Sequence, residues 1–209
     1  MRLKFALAVL TGLSLAASGC DKQSGESAQG APNGTAAAPD EVTSDEVPPS
    51  AGNEAGGDVF KHVVDRSHKG TAMPDKTFTA LDGTPTTLKQ VAGGKPLLVN
   101  LWATWCAPCV AELPALDTVA ADAAAKGIAV VAVSQDQETA IVAPFWQARN
   151  LTTLKTWLDP ENALGFHYAT GTLPTTILYD GKGKEVARIV GALDWNGPDG
   201  QALVKEIGG

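Results

Sequence analysis

Alternating stretches of strand and helix predict an α/β fold: a central mixed sheet flanked by helices, extended by strand on its N-terminal side. Three observations carry this. Residues 97–102 and 128–133 are apolar at nearly every position, the mark of strands covered on both faces. A helical stretch separates them, so they form a parallel βαβ unit. Residues 175–179 and 185–190 alternate with period two across Asp180-Gly181-Lys182-Gly183, which reads as an antiparallel hairpin.

Taken in order, residues 76–81 form a short extension strand that ends at the turn Asp82-Gly83. The buried strand 97–102 leads into a helix over 108–125, kinked near Pro114 and ended by Lys126-Gly127. Strand 128–133 follows. A helix over 138–150 presents Ile141, Phe145 and Trp146 at helical spacing, with distortion expected at Pro144. After the hairpin, a helix over 199–207 closes the chain. Trp102, Trp146, Trp157 and Trp195 read as packing. His62, His68 and His167 have no ligand spacing; the first two read as solvated, and His167 lies just ahead of Pro174, near the expected site rim.

The N-terminal part reads differently. Arg2 and Lys4 precede an apolar stretch from Phe5 to Ala17, too short to span a bilayer comfortably, so residues 1–19 read as a cleaved export signal. The ending Ala17-Ser18-Gly19-Cys20 resembles a bacterial lipobox, which implies lipidation of Cys20 and a membrane anchor. Asp21 resembles an inner-membrane retention signal. Residues 20–57 read as a disordered acidic tether: between 21 and 57 there is no aromatic residue and no Leu, Ile or Met, and seven acidic residues face one Lys. As a flexible coil it would span roughly 30–35 Å. Residues 58–72 form a lead-in and 73–209 a single domain. The tether holds −6 of the chain's net charge of −7, so no basic surface suggests nucleic acid.

Chemistry concentrates in Trp105-Cys106-Ala107-Pro108-Cys109, at the corner between strand 97–102 and the helix. Unpaired N–H groups and the helix dipole favour a thiolate on Cys106, the partly exposed nucleophile. Cys109, more buried, lies one turn on to resolve by closing a Cys106–Cys109 disulfide. A loop this short gains little as a structural staple. No second Cys-x-x-Cys or paired histidines complete a zinc site, so no metal and no cofactor is expected. Ala107 and Pro108 add no charge, and Pro108 has no N–H to offer the thiolate. Trp105 flanks the nucleophile and shapes a docking surface. Glu112 lies three residues beyond Cys109, on the same helical face, where it can accept the proton of Cys109 as general base.

The run from Leu98 to Cys109 with Glu112 and Pro114, the upstream Ala72-Met73-Pro74-Asp75, the downstream Gly171-Thr172-Leu173-Pro174-Thr175-Thr176 and the ending Gly191-Ala192-Leu193-Asp194-Trp195 resemble the TlpA/ResA-type disulfide reductases of the bacterial envelope. These are membrane-tethered, thioredoxin-like proteins. The resemblance covers about residues 70–209. It implies a cis-proline at Pro174 that shapes the partner groove. Thioredoxin itself carries a buried aspartate where this chain has Asn100, so the resemblance also assigns proton transfer to Glu112. Strongly oxidising relatives have a histidine between the cysteines; its absence leans towards a reductant. The implied function is reduction of disulfides in envelope proteins, apocytochrome c or copper-assembly factors of the oxidase, on the periplasmic side of the inner membrane. A membrane electron donor would re-reduce the pair.

Two other classes are weighed. A copper chaperone would use both thiolates with His167 or Met73, but copper chaperones of this fold usually space their cysteines by three residues. A thiol peroxidase would need a proline ahead of the cysteine that Ala103-Thr104-Trp105 lacks.

Overall fold

The computed structural model describes residues 60–208; the expected signal, Cys20 and the tether lie outside the described residues. At its centre is β4 (Leu97–Trp102), buried at all six positions. Because successive strand residues point to opposite faces, β4 feeds two cores. Leu98 and Trp102 pack with Leu113, Leu116, Ile189 and Ile207; Leu97, Val99 and Leu101 pack with Leu88, Leu164, Ile177 and Tyr179. Each such aliphatic side chain contributes about 1.5–3 kcal/mol through burial.

β5 (Ala129–Ser134) runs parallel to β4, and β6 (Lys155–Leu158) parallel to β5. On the other flank β7 (Thr175–Tyr179) is antiparallel to β4 and β8 (Glu185–Gly191) antiparallel to β7. β1 (His62–Asp65) pairs with β8 at one edge; β2 (Thr77–Thr79) joins β6 and carries β3 (Pro85–Thr87) at the other. The order is β1-β8-β7-β4-β5-β6-β2-β3. α2 (Ala107–Ala124), α3 (Val142–Gln147) and α5 (Pro198–Gly208) supply the first core; α1 (Leu88–Ala92) and α4 (Ala163–Tyr168) supply the second. The expected α/β class and mixed sheet are borne out.

Several details differ from the sequence reading. The period-two pattern of the β7–β8 hairpin does not translate into alternating burial: β7 is buried throughout and β8 at its first five residues. The hairpin feeds both cores, with Leu178, Val186, Ala187 and Ile189 in the first and Ile177 and Tyr179 in the second, so both faces are covered. The helix expected over 138–150 becomes a 3-10 turn at Thr139–Ile141 followed by α3. Pro144 falls in the first turn of α3, where a missing N–H costs no helical bond, and Asn150 turns the chain with φ of 52°. An extension strand lies earlier than Met73, at β1 within the segment read as a lead-in. It can approach β8 because Gly191, opposite His62, has φ of 98° and no Cβ to collide with the Lys61 carbonyl oxygen. His62, read as solvated, is half-buried by this pairing. Among the described residues, no helix is long and apolar enough to cross a membrane.

Candidate active site

β4 ends at Trp102, and a tight turn follows in which Cys106 N–H donates to the Ala103 carbonyl at 3.1 Å. Cys106 is the N-cap of α2: its Sγ accepts from Cys109 N–H at 3.3 Å. Pro108 sits in the first turn, where its lost N–H is not needed. Cys106 and Cys109 form a disulfide, their Cα atoms 5.3 Å apart. Cys106, expected to be partly exposed, is only 5% exposed, but it lines an open cleft and Cys109 does not.

Glu112 is not a solvated helix residue. It is 1% exposed, pointing into the core beneath the cysteines' helix turn. Oε1 accepts from Asn100 Nδ2 at 2.6 Å; Oε2 accepts from Leu193 N–H at 3.2 Å and from Trp195 Nε1 at 3.3 Å. Burial pushes the carboxyl up to about 7, against the pull of these three hydrogen bonds towards the ionised form. Asn100 also donates to Thr176 Oγ1 at 3.0 Å, and its own Oδ1 has no partner. Trp195, read as packing, is both fully buried and a donor to this carboxyl. Nothing in the sequence marked that bond, since its partners stand 83 residues apart.

The cleft has a volume of about 810 Å³. Leu173 and Thr172 form one wall, and the Leu173–Pro174 peptide bond is cis. Trp105 is 71% exposed at the rim, joined by Phe166 at 73% and Ile141. Three of the five exposed large apolar side chains among the described residues thus converge on the cysteine. Phe166 carried no signal in the sequence. His167, expected near the rim, is exposed beside it but does not line the cleft. Met73 lines a separate cleft with Ala92 and Gly183, away from Cys106. His68 is exposed near Asp65, far from either cysteine in the chain. Asp136 and Glu138 give the cleft its acidic side.

A Cys-x-x-Cys disulfide capping a helix, set in an open cleft at the end of a thioredoxin-like sheet, defines a thiol–disulfide oxidoreductase. The chain belongs to the Redoxin family, which matches residues 68–204. It is 31% identical over 122 residues to the thiol-disulfide oxidoreductase ResA of Bacillus cereus, covering 58% of this chain and 69% of that one. It is 32% identical over 109 residues to the thiol:disulfide interchange protein HelX of Rhodobacter capsulatus, covering 52% and 60%. Among solved structures, a thiol:disulfide interchange protein DsbE from Chlorobium tepidum superposes with a TM-score of 0.61 at 27% identity, over 68% of this chain and 98% of that one. The exposed lipoprotein thioredoxin of Streptococcus pneumoniae gives 0.54 at 25% identity, over 64% and 99%. The likeness to ResA/TlpA-type reductases is borne out by these relatives.

Proposed function

We propose that this protein reduces disulfides of partner proteins outside the cytoplasmic membrane. The observation that carries the reading is Glu112: a buried carboxyl with its pKa raised to about 7, on the helix that Cys106 caps and whose first turn holds Cys109. In the reduced protein the Cys106 thiolate attacks a partner disulfide. A Cys106–partner bond forms and the partner's other sulfur leaves as a thiolate. Cys109 then yields its proton to Glu112 and attacks Cys106 Sγ, which closes the Cys106–Cys109 disulfide and expels the partner's second sulfur as a thiolate; the two partner thiolates take one proton back from Glu112 and one from solvent to become a dithiol. Two electrons from a membrane donor restore the pair. Pro174, Thr172 and Leu173 shape the groove, while Trp105 and Phe166 offer apolar contact to the partner segment.

The chain is exported by residues 1–19, carries lipid on Cys20 and holds the domain on the tether 20–57. The signal-like N-terminus and its Ala-Ser-Gly-Cys ending support this, as does similarity to a protein named an exposed lipoprotein thioredoxin. Its substrates are apocytochrome c or oxidase copper-assembly factors. The test is a Cys109→Ser variant, which lacks the resolving thiol: mixed disulfides through Cys106 should accumulate with such partners. A Cys109→Ser protein that traps no partner, or equal trapping by Cys106→Ser, would overturn the reading.

A further inference from the structure

The turn between β4 and α2 carries Cys106, and its strongest side-chain anchor lies outside it, just past the end of β5. Asp136 is 2% exposed. Its Oδ2 accepts from Thr104 N–H at 2.9 Å and from the Ser134 hydroxyl at 2.7 Å; its Oδ1 accepts from the Thr104 hydroxyl at 2.7 Å. The Ser134 oxygen in turn accepts from Asp136 N–H at 3.1 Å, leaving its own proton for the carboxylate. Each of the three bonds is accepted by a carboxylate oxygen. Thr104 stands two residues before Cys106, within the turn closed by the Cys106–Ala103 bond, and Asp136 and Cys106 line the same cleft.

We propose that Asp136 is a positioning residue of the redox centre. It holds residues 103–106 in the shape that presents the sulfur, and its charge disfavours the Cys106 thiolate, making the dithiol a stronger electron donor. This rests on Cys106 being the nucleophile. The reduced pair carries negative charge on Cys106 and the disulfide carries none, so an anionic neighbour raises the energy of the reduced form alone. The N-terminus of α2 acts in the opposite sense. Of the other acidic groups near the centre, Glu138 lines the cleft, and Glu112 is buried on the core side of α2, bonded to Asn100, Leu193 and Trp195. Asp136 alone among them is tied to the turn itself by hydrogen bonds.

The experiment uses the full chain with Asp136→Asn, which keeps the shape and one accepting oxygen but removes the charge. Two quantities are read: the redox equilibrium with glutathione, and the pH midpoint of Cys106 alkylation, located by mass spectrometry. Asp136→Asn should shift the equilibrium towards the reduced protein by roughly three- to tenfold and move the alkylation midpoint to lower pH. Thr104→Val keeps the charge but loses one bond to the turn; it should slow exchange with a protein disulfide without the fall in the midpoint that Asp136→Asn gives. A folded Asp136→Asn protein with both quantities unchanged overturns the proposal. If that variant does not fold, Ser134→Ala gives a test of opposite sign: the charge loses a donor, and the midpoint should rise; a midpoint that stays or falls overturns the proposal. Alkylation landing first on Cys109 would instead overturn the nucleophile assignment beneath it.

Discussion

Glu112 is where residue chemistry decides most. Its folded pKa of about 7 lies above the ordinary 4.5 because burial outweighs three hydrogen bonds. A carboxyl raised in this way holds its proton in the folded state while the unfolded chain has already released it. Its contribution to stability is therefore fully present below about pH 4.5 and lost as pH rises through about 7. The loss amounts to roughly 3 kcal/mol, a linkage visible in urea denaturation at a series of pH values. Glu112→Gln should abolish that slope. The fold can accept the change: a glutamine oxygen can serve Leu193 and Trp195 while its amide meets Asn100, whose side chain turns to present the Oδ1 that now has no partner. The same variant should slow the resolving step by roughly 10²-fold near neutral pH and remove the inflection near pH 7 from its pH–rate profile, measured by stopped-flow exchange. The Cys-x-x-Cys pair and Glu112 were legible in the sequence through their helical spacing. Trp195 and Leu193 as donors were not, because only the tertiary fold brings the C-terminal segment onto α2.

At the scale of elements, the N-terminus of α2 and the pairing of β8 set the site's frame. The first turn of α2 holds only Ala107 and Pro108 between the cysteines, so no side chain there stabilises a thiolate. Pro108→His places a cationic donor in that turn and should shift the redox equilibrium towards the dithiol by roughly tenfold, about 30 mV for a two-electron couple, read in defined thiol buffers. At the sheet's edge, Gly191→Ala forces a side chain against the Lys61 carbonyl at a φ that favours glycine. It should detach β1 and cost about 1–3 kcal/mol in chemical unfolding. β4 and β5 announced themselves by unbroken apolar runs. β1, β3, α1, β6 and α4 did not: each is six residues or shorter, too few for either period to emerge. Their identity comes from pairing within the sheet, for β1, β3 and β6, and from burial against the second core, for α1 and α4. α4 matters most among them, since it carries Phe166 to the cleft rim.

For the whole molecule, charge and apolar surface divide the labour. Nearly all of the net charge of −7 lies in the stretch read as a tether, while the domain concentrates exposed Trp105, Phe166 and Ile141 around one cleft. Such a surface suits transient docking of an extended partner segment, with redox chemistry at its floor. The fold class was readable because strand and helix blocks alternate cleanly; the rim was not, since exposure of an aromatic residue depends on what the rest of the chain covers. The central claim is the direction of electron flow. It is tested most directly by the reduction potential of the Cys106–Cys109 pair in the full chain, equilibrated in defined thiol buffers. The account predicts a value of roughly −200 to −270 mV, in the range of glutaredoxins and thioredoxin. A value near −120 mV, in the range of strong oxidants, would contradict it and make the protein a disulfide donor.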